Sequence, residues 1–182
     1  DKSIRQYTAP NGGGYTIEAE LGIIPNGRSE PDFMGWELKQ FAVNDFTRMR
    51  ATSPVTLMTP EPTFGEYVNS FPNFMSAYGY PDTKGRPHRR NFGGIYRSGS
   101  AAHAITTLCM VVDGYDGVTG KIVNMGGYVA LLDPLKNIAA GWLFTDLLDH
   151  WNRKHAQAAY IPSEADGAPR RYRYGKDIEL GT

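Results

Sequence analysis

Cysteine is almost missing from this 182-residue chain, since Cys109 stands alone inside the apolar run from Ile105 to Val112. One thiol builds neither a disulfide framework nor a cysteine-based zinc site within a chain, and apolar neighbours make it a core residue rather than a nucleophile. Net charge is missing too, because 19 Lys and Arg balance 19 Asp and Glu. A charged partner therefore has to be met by distribution, with acids gathered in one place and bases lining another. No apolar stretch approaches the roughly 20 residues of a membrane span, and the start lacks a signal-peptide pattern. A soluble, reducing, cytoplasmic setting is the default expectation. Internal repeats and low-complexity tracts are absent. Hydrophobic residues at 41% against charged residues at 21% suffice for a packed core and argue against global disorder. The chain begins at Asp1 without methionine and stops just after a strand-like run, so a piece of something longer is expected.

Periodicity predicts a layered α/β or α+β chain with a mixed sheet. Asn11 to Gly14 reads as a flexible break. Tyr15 to Gly22 reads as a short helix closed by Gly22, with Ile17 and Leu21 on one face. After a turn at Pro25-Asn26-Gly27, the segment Asp32 to Phe41 reads as a strand, or as a tight bend and a strand. Val55 to Thr59 is a further short strand, and Phe64 to Tyr78 is helical with a break at Pro72. Pro81 to Gly99 is a basic, Gly-rich loop. Ala104 to Val112 and Lys121 to Leu132 are strands around a turn at Asp113 to Gly117. Gly141 to Gln157 has the spacing of an amphipathic helix, and Ala158 to Pro162 is a strand leaving it.

The chemistry concentrates between residues 32 and 39. Strand alternation in Trp36-Glu37-Leu38-Lys39-Gln40-Phe41 sends Glu37 and Lys39 to one face and Trp36 and Leu38 to the other. Asp32 enters from just upstream, where the chain can bend at Gly35. Two carboxylates and an amine are what metal-assisted phosphodiester hydrolysis asks for. Mg²⁺ prefers oxygen ligands, lowers the pKa of a bound water, and a lysine can orient that water and offset developing charge. A Glu-x-Lys pair is also common on solvated strand faces, and Asp before a strand is ordinary turn chemistry. Glu18, on the upstream helix, would complete a cluster of three carboxylates and one lysine, costly without a cation.

Pro31-Asp32 followed by Glu37-Leu38-Lys39 matches the PD-(D/E)XK nuclease signature. The longer string, Gly14-Tyr15-Thr16-Ile17-Glu18 through Leu21-Gly22-Ile23 to Lys39, resembles the MvaI/BcnI restriction endonucleases and their relative MutH. The resemblance includes a helix glutamate fourteen residues before the aspartate, and is specific over residues 14 to 39. It implies a restriction-endonuclease-like mixed β-sheet flanked by helices, with a catalytic lobe and a recognition lobe around DNA. It further implies one nuclease domain over residues 1–182, with its catalytic segment at about 14–60. Asp32 and Glu37 would hold Mg²⁺, Lys39 would serve the water or the scissile phosphate, and Glu18 would act at the edge of the site. Double-stranded DNA is the implied partner, cut by a monomer in restriction, or nicked in a MutH-like repair role.

Lys84, Arg86, His88, Arg89, Arg90 and Arg97 crowd the loop after Pro81, interleaved with Phe92 and Tyr96. Such cations suit phosphate and guanine contacts, although a solvated charged loop explains them equally well in isolation. Arg170, Arg171 and Arg173 alternate with Tyr172 and Tyr174 in a second basic-aromatic patch. His150 and His155 are spaced five apart, a poor metal pair, and Trp151 is core. His103 reads as a structural histidine, and Asp113 and Asp116 as hairpin chemistry. Two rivals stand against the nuclease. A DNA-binding module that keeps the fold without turnover has no need of three charges held together. An unrelated interaction domain predicts that Glu18, Asp32, Glu37 and Lys39 do not converge.

Overall fold

The computed structural model describes residues 12–24, 31–86, 88–167, 170–176 and 178–181. In chain order its elements are α1 (Gly12–Glu20), β1 (Glu37–Ala42), α2 (Glu66–Asn69), α3 (Phe71–Tyr78), β2 (Tyr80–Pro81), β3 (Arg90–Asn91), β4 (Cys109–Asp113) and β5 (Tyr115–Asp116). There follow β6 (Lys121–Ile122), β7 (Tyr128–Leu132), β8 (Ile138–Leu143), α4 (Phe144–Lys154), β9 (Ala158–Asp166), β10 (Arg171–Tyr174) and β11 (Glu179–Gly181). The chain divides into two compact units, residues 1–59 with 150–182, and residues 60–149. Among the described residues no helix is long and apolar enough to cross a membrane.

The first unit is organised by β9. β1 runs parallel to it, with Glu37 opposite Ala158 and Ala42 opposite Ser163. β10 and β11 run antiparallel on its other side, at Ser163–Asp166 and Ala158–Tyr160 respectively. Ala158, Ala159, Ile161, Pro162 and Ser163 are buried. A proline in a central strand is normally excluded because it offers no N–H. Pro162 fits because its missing donor points toward the gap between β11 and β10. On that side its carbonyl accepts from Gly175 N–H at 2.9 Å.

α1 begins three residues earlier than the periodicity predicts, and takes in the glycines expected to form a flexible break. Packing overrides their low propensity. A Cβ on Gly13 would sit 2.8 Å from the Gln40 side chain, and the Tyr174 hydroxyl donates to Gly13 O at 2.7 Å. The helix closes as expected at Gly22 (φ +76°). Gly22 N–H reaches Ala19 O and Ile23 N–H reaches Glu18 O, the paired bonds of a Schellman stop. The turn expected at Pro25-Asn26-Gly27 lies outside the described residues.

The second unit carries the sheet β4-β7-β8, antiparallel throughout. Phe74, Leu108, Leu131, Ala139 and Ala140 form its buried core, with Tyr67, Phe92 and Trp142 packed against it. Several expectations need correction here. Gly141 to Leu143 belong to β8, not to the helix, which starts at Phe144; small Ala139-Ala140-Gly141 residues hide a strand by periodicity. Gly141 admits the ring of Phe64 against its backbone, where Gly141 N–H donates to Phe64 O at 2.9 Å. The helical stretch after Phe64 breaks at Ser70 rather than Pro72, because Pro72 sits in the first turn of α3 while the Ser70 side chain caps it. Val55 to Thr59, in the first unit, is irregular rather than a strand, with prolines on both sides and no strand partner among the described residues. Residues 104–106 form a turn before β4, and Lys121 to Leu132 is split between β6 and β7.

Candidate active site

Phe33 and Trp36 bond reciprocally, N–H to O at 3.0 and 2.8 Å, across Met34 (φ +48°) and Gly35 (φ +86°). Two central residues at positive φ make a tight hairpin turn, which folds Asp32 back over the start of β1. There Asp32 Oδ2 accepts from Leu38 N–H at 3.1 Å. The bend and strand expected around Gly35 is thus the observed structure.

Glu37 opens β1 with its own N–H bonded to Gln157 O at 2.9 Å, and only 3% of it is exposed. Strand alternation places Lys39 on the same side, and Lys39 Nζ meets Glu37 Oε1 at 2.8 Å. Burial pushes the Glu37 carboxyl above the ordinary 4.5; Lys39 opposes this, while the neighbouring Asp32 carboxylate adds to it. A buried carboxylate facing another carboxylate is a site that a cation would relieve. Asp32, Glu37 and Lys39 therefore converge.

Glu18 lies on α1, half-buried. Among the described residues no three His, Cys, Asp or Glu side chains form a group able to hold a metal ion. The carboxylate pair is therefore not widened by Glu18 to a three-ligand set. Two carboxylates still suit a hard divalent cation that completes its shell with water and substrate oxygens, so the donor set fits the implied ion.

His155 is a neighbour that spacing alone did not reveal. It is 3% exposed, its Nδ1 lies 3.8 Å from Glu37 Oε1, and its ring packs on Trp151 and His150. The only available signal was its place just before the strand that pairs with β1.

Two cations of the basic loop are engaged by the protein itself. Arg90 is spent on the C-terminal end of α3, with Nε donating to Met75 O at 2.8 Å and its guanidinium also reaching Ser76 O and Gly79 O. Arg89 approaches Asp82 at 3.7 Å. Lys84, Arg86, His88 and Arg97 are exposed. On β10, Arg171 and Arg173 face out while Tyr172 and Tyr174 face in, as alternation predicts. His103 Nδ1 faces the Thr106 hydroxyl at 3.3 Å, a structural role, and Asp116 caps the β5–β6 turn through Val118 N–H and the Thr119 hydroxyl.

Comparison with known proteins adds to this geometry. The family model of the MvaI/BcnI restriction endonuclease family matches residues 2–182. A solved structure described as restriction endonuclease MvaI-cognate DNA substrate complex is 20% identical, with a TM-score of 0.70 over 96% of this chain and 66% of that one. Another, restriction endonuclease MvaI in the absence of DNA, is 18% identical with a TM-score of 0.46 over 92% and 60%. The first likeness shows a shared fold, the mixed α+β arrangement expected from sequence. This chain spans 66% of that relative's length. No curated protein matches.

Proposed function

We propose, from the premise that this chain belongs to the MvaI/BcnI restriction endonuclease family, that it hydrolyses phosphodiester bonds of double-stranded DNA in a Mg²⁺-dependent, sequence-specific restriction reaction, acting as a monomer in the cytoplasm. The observation that carries this reading is the meeting of Asp32, Glu37 and Lys39 at the start of β1.

Asp32 and Glu37 would hold Mg²⁺, which when bound supplies a Lewis acid for the phosphate and lowers the pKa of a water. The remaining work falls to the chain itself. Leu38 N–H fixes the orientation of Asp32, and Gln157 O fixes the backbone of Glu37. Lys39 presents an ammonium to the scissile phosphate, where it orients the water and offsets developing charge. Glu18 acts at the edge of the site, through a water or through Lys39. Lys84, Arg86, His88, Arg89 and Arg97 contact DNA, whereas Arg90 anchors their loop.

The test is plasmid DNA with Mg²⁺. Linear fragments of discrete length are expected, and open circles would identify MutH-like nicking instead. Asp32→Ala and Lys39→Ala should each lower the rate on the order of 10²-fold or more while retaining DNA binding in Ca²⁺. Binding without any turnover by the unmodified protein would leave the inactive DNA-binding module. Cleavage that survives both substitutions would place the site elsewhere.

A further inference from the structure

Two nitrogens approach one oxygen of Glu37. Lys39 Nζ lies 2.8 Å from Glu37 Oε1, and His155 Nδ1 lies 3.8 Å from the same atom. The lysine arrives on a flexible four-carbon stem, whereas the imidazole is held in place. His155 N–H donates to Trp151 O at 2.6 Å, which carries the helical bonding of α4 one residue past its end. The ring packs on Trp151 and His150, with centroids 5.4 and 5.9 Å away. Its side chain is 2% exposed, against 16% for Lys39. An imidazole enclosed at interior packing density has little freedom to turn. Gln157 O, two residues further on, accepts from Glu37 N–H at 2.9 Å. One short segment therefore meets both the backbone and the carboxylate of Glu37.

We propose that His155 is a positioning residue, whose Nδ1 edge keeps the Glu37 carboxylate in its metal-binding orientation when Lys39 turns to the scissile phosphate. The proposal rests on the nuclease reading above, which gives Lys39 that second duty. A lysine drawn to the phosphate loosens its hold on Oε1, and the fixed ring does not. Metal-ligating carboxylates are themselves oriented by outer partners, and losing such a partner costs about 10- to 100-fold in metal affinity or activity. At 3.8 Å the contact is longer than a hydrogen bond, and a small turn of the carboxylate closes it. A neutral ring with its proton on Nδ1 suffices as donor, so neither charge nor proton transfer is asked of His155.

The experiment compares two amides. His155→Asn keeps a nitrogen near the Nδ1 position in a smaller side chain, whereas His155→Gln fills more of the space and carries its nitrogen near the Nε2 position. Each is read by plasmid cleavage under Mg²⁺ titration, by KM for DNA, and by the Mg²⁺-induced rise in melting temperature without DNA. His155→Gln should lose about 10- to 100-fold in kcat, need more Mg²⁺ and lose most of the melting shift, with KM for DNA within about twofold. His155→Asn should stay within about threefold in kcat and keep the melting shift, although the space it leaves lowers its metal-free melting temperature. Packing alone would give the opposite order, with the larger amide the better substitute. Cleavage by His155→Gln equal to or above that of His155→Asn would overturn the proposal, as would equal losses in both. An unmodified protein that neither cleaves DNA nor responds to Mg²⁺ would instead overturn the nuclease reading itself.

Discussion

Glu37 is held in a position that its chemistry resists. Burial lifts its carboxyl above 4.5, the Asp32 carboxylate pushes the same way, and Lys39 at 2.8 Å pulls back. A carboxyl raised in the folded chain contributes stability below pH 4.5, and that contribution is lost as pH rises through its folded value. At neutral pH the charged form is therefore a local cost that a bound cation would remove. Glu37→Gln should accordingly abolish cleavage without lowering the melting temperature in metal-free buffer at neutral pH. Mg²⁺ should raise the melting temperature of the unmodified chain at pH 7 and leave the variant unmoved. Thermal unfolding across pH, with and without Mg²⁺, reads both; a metal shift that persists in Glu37→Gln would remove this residue from the ion.

Elements decide which cations are free to meet a ligand. Arg90 looks like its neighbours in sequence, yet three carbonyls at the end of α3 hold its guanidinium. Arg90→Ala should cost about 1–3 kcal/mol, since it leaves helix-end carbonyls without a charged donor. Arg86→Ala should leave the melting temperature in place and weaken DNA binding instead. Measuring both quantities on both variants separates anchor from contact. The same contrast marks what sequence could reveal. Asp32, Glu37 and Lys39 were legible because a two-residue turn and a strand period of two are local rules, as was the closure of α1 at Gly22. His155 was not, because its approach to Glu37 depends on the parallel register that sets Glu37 opposite Ala158. The helical state of Gly12 to Gly14 was hidden for a like reason: Gln40 and Tyr174, both distant in sequence, supply the contacts. β8 escaped because its small residues carry no period of two, and the helix that follows shares its hydrophobic stripe.

At the scale of the whole molecule, a chain with 19 charges of each sign engages a polyanion only by sorting them. The sorting follows the two units. Asp32, Glu37 and Lys39 belong to the unit of residues 1–59 and 150–182, and Lys84, Arg86, His88, Arg89 and Arg97 to the unit of residues 60–149. Substitutions in the two sets should therefore fall on different kinetic constants. A double variant, Arg86→Ala with Arg97→Ala, removes two of the proposed DNA contacts and, if both are to phosphate, should lower the salt slope of binding by about 2. Its kcat at saturating DNA should stay within about threefold, because groups that bind ground and transition states alike act on KM. Asp32→Ala should show the converse, with affinity in Ca²⁺ little changed and kcat falling on the order of 10²-fold or more. Single-turnover cleavage at several DNA concentrations distinguishes these patterns directly. If the double variant lost kcat as severely as Asp32→Ala while still binding DNA, the loop would be part of the chemistry rather than a separate hold on the substrate.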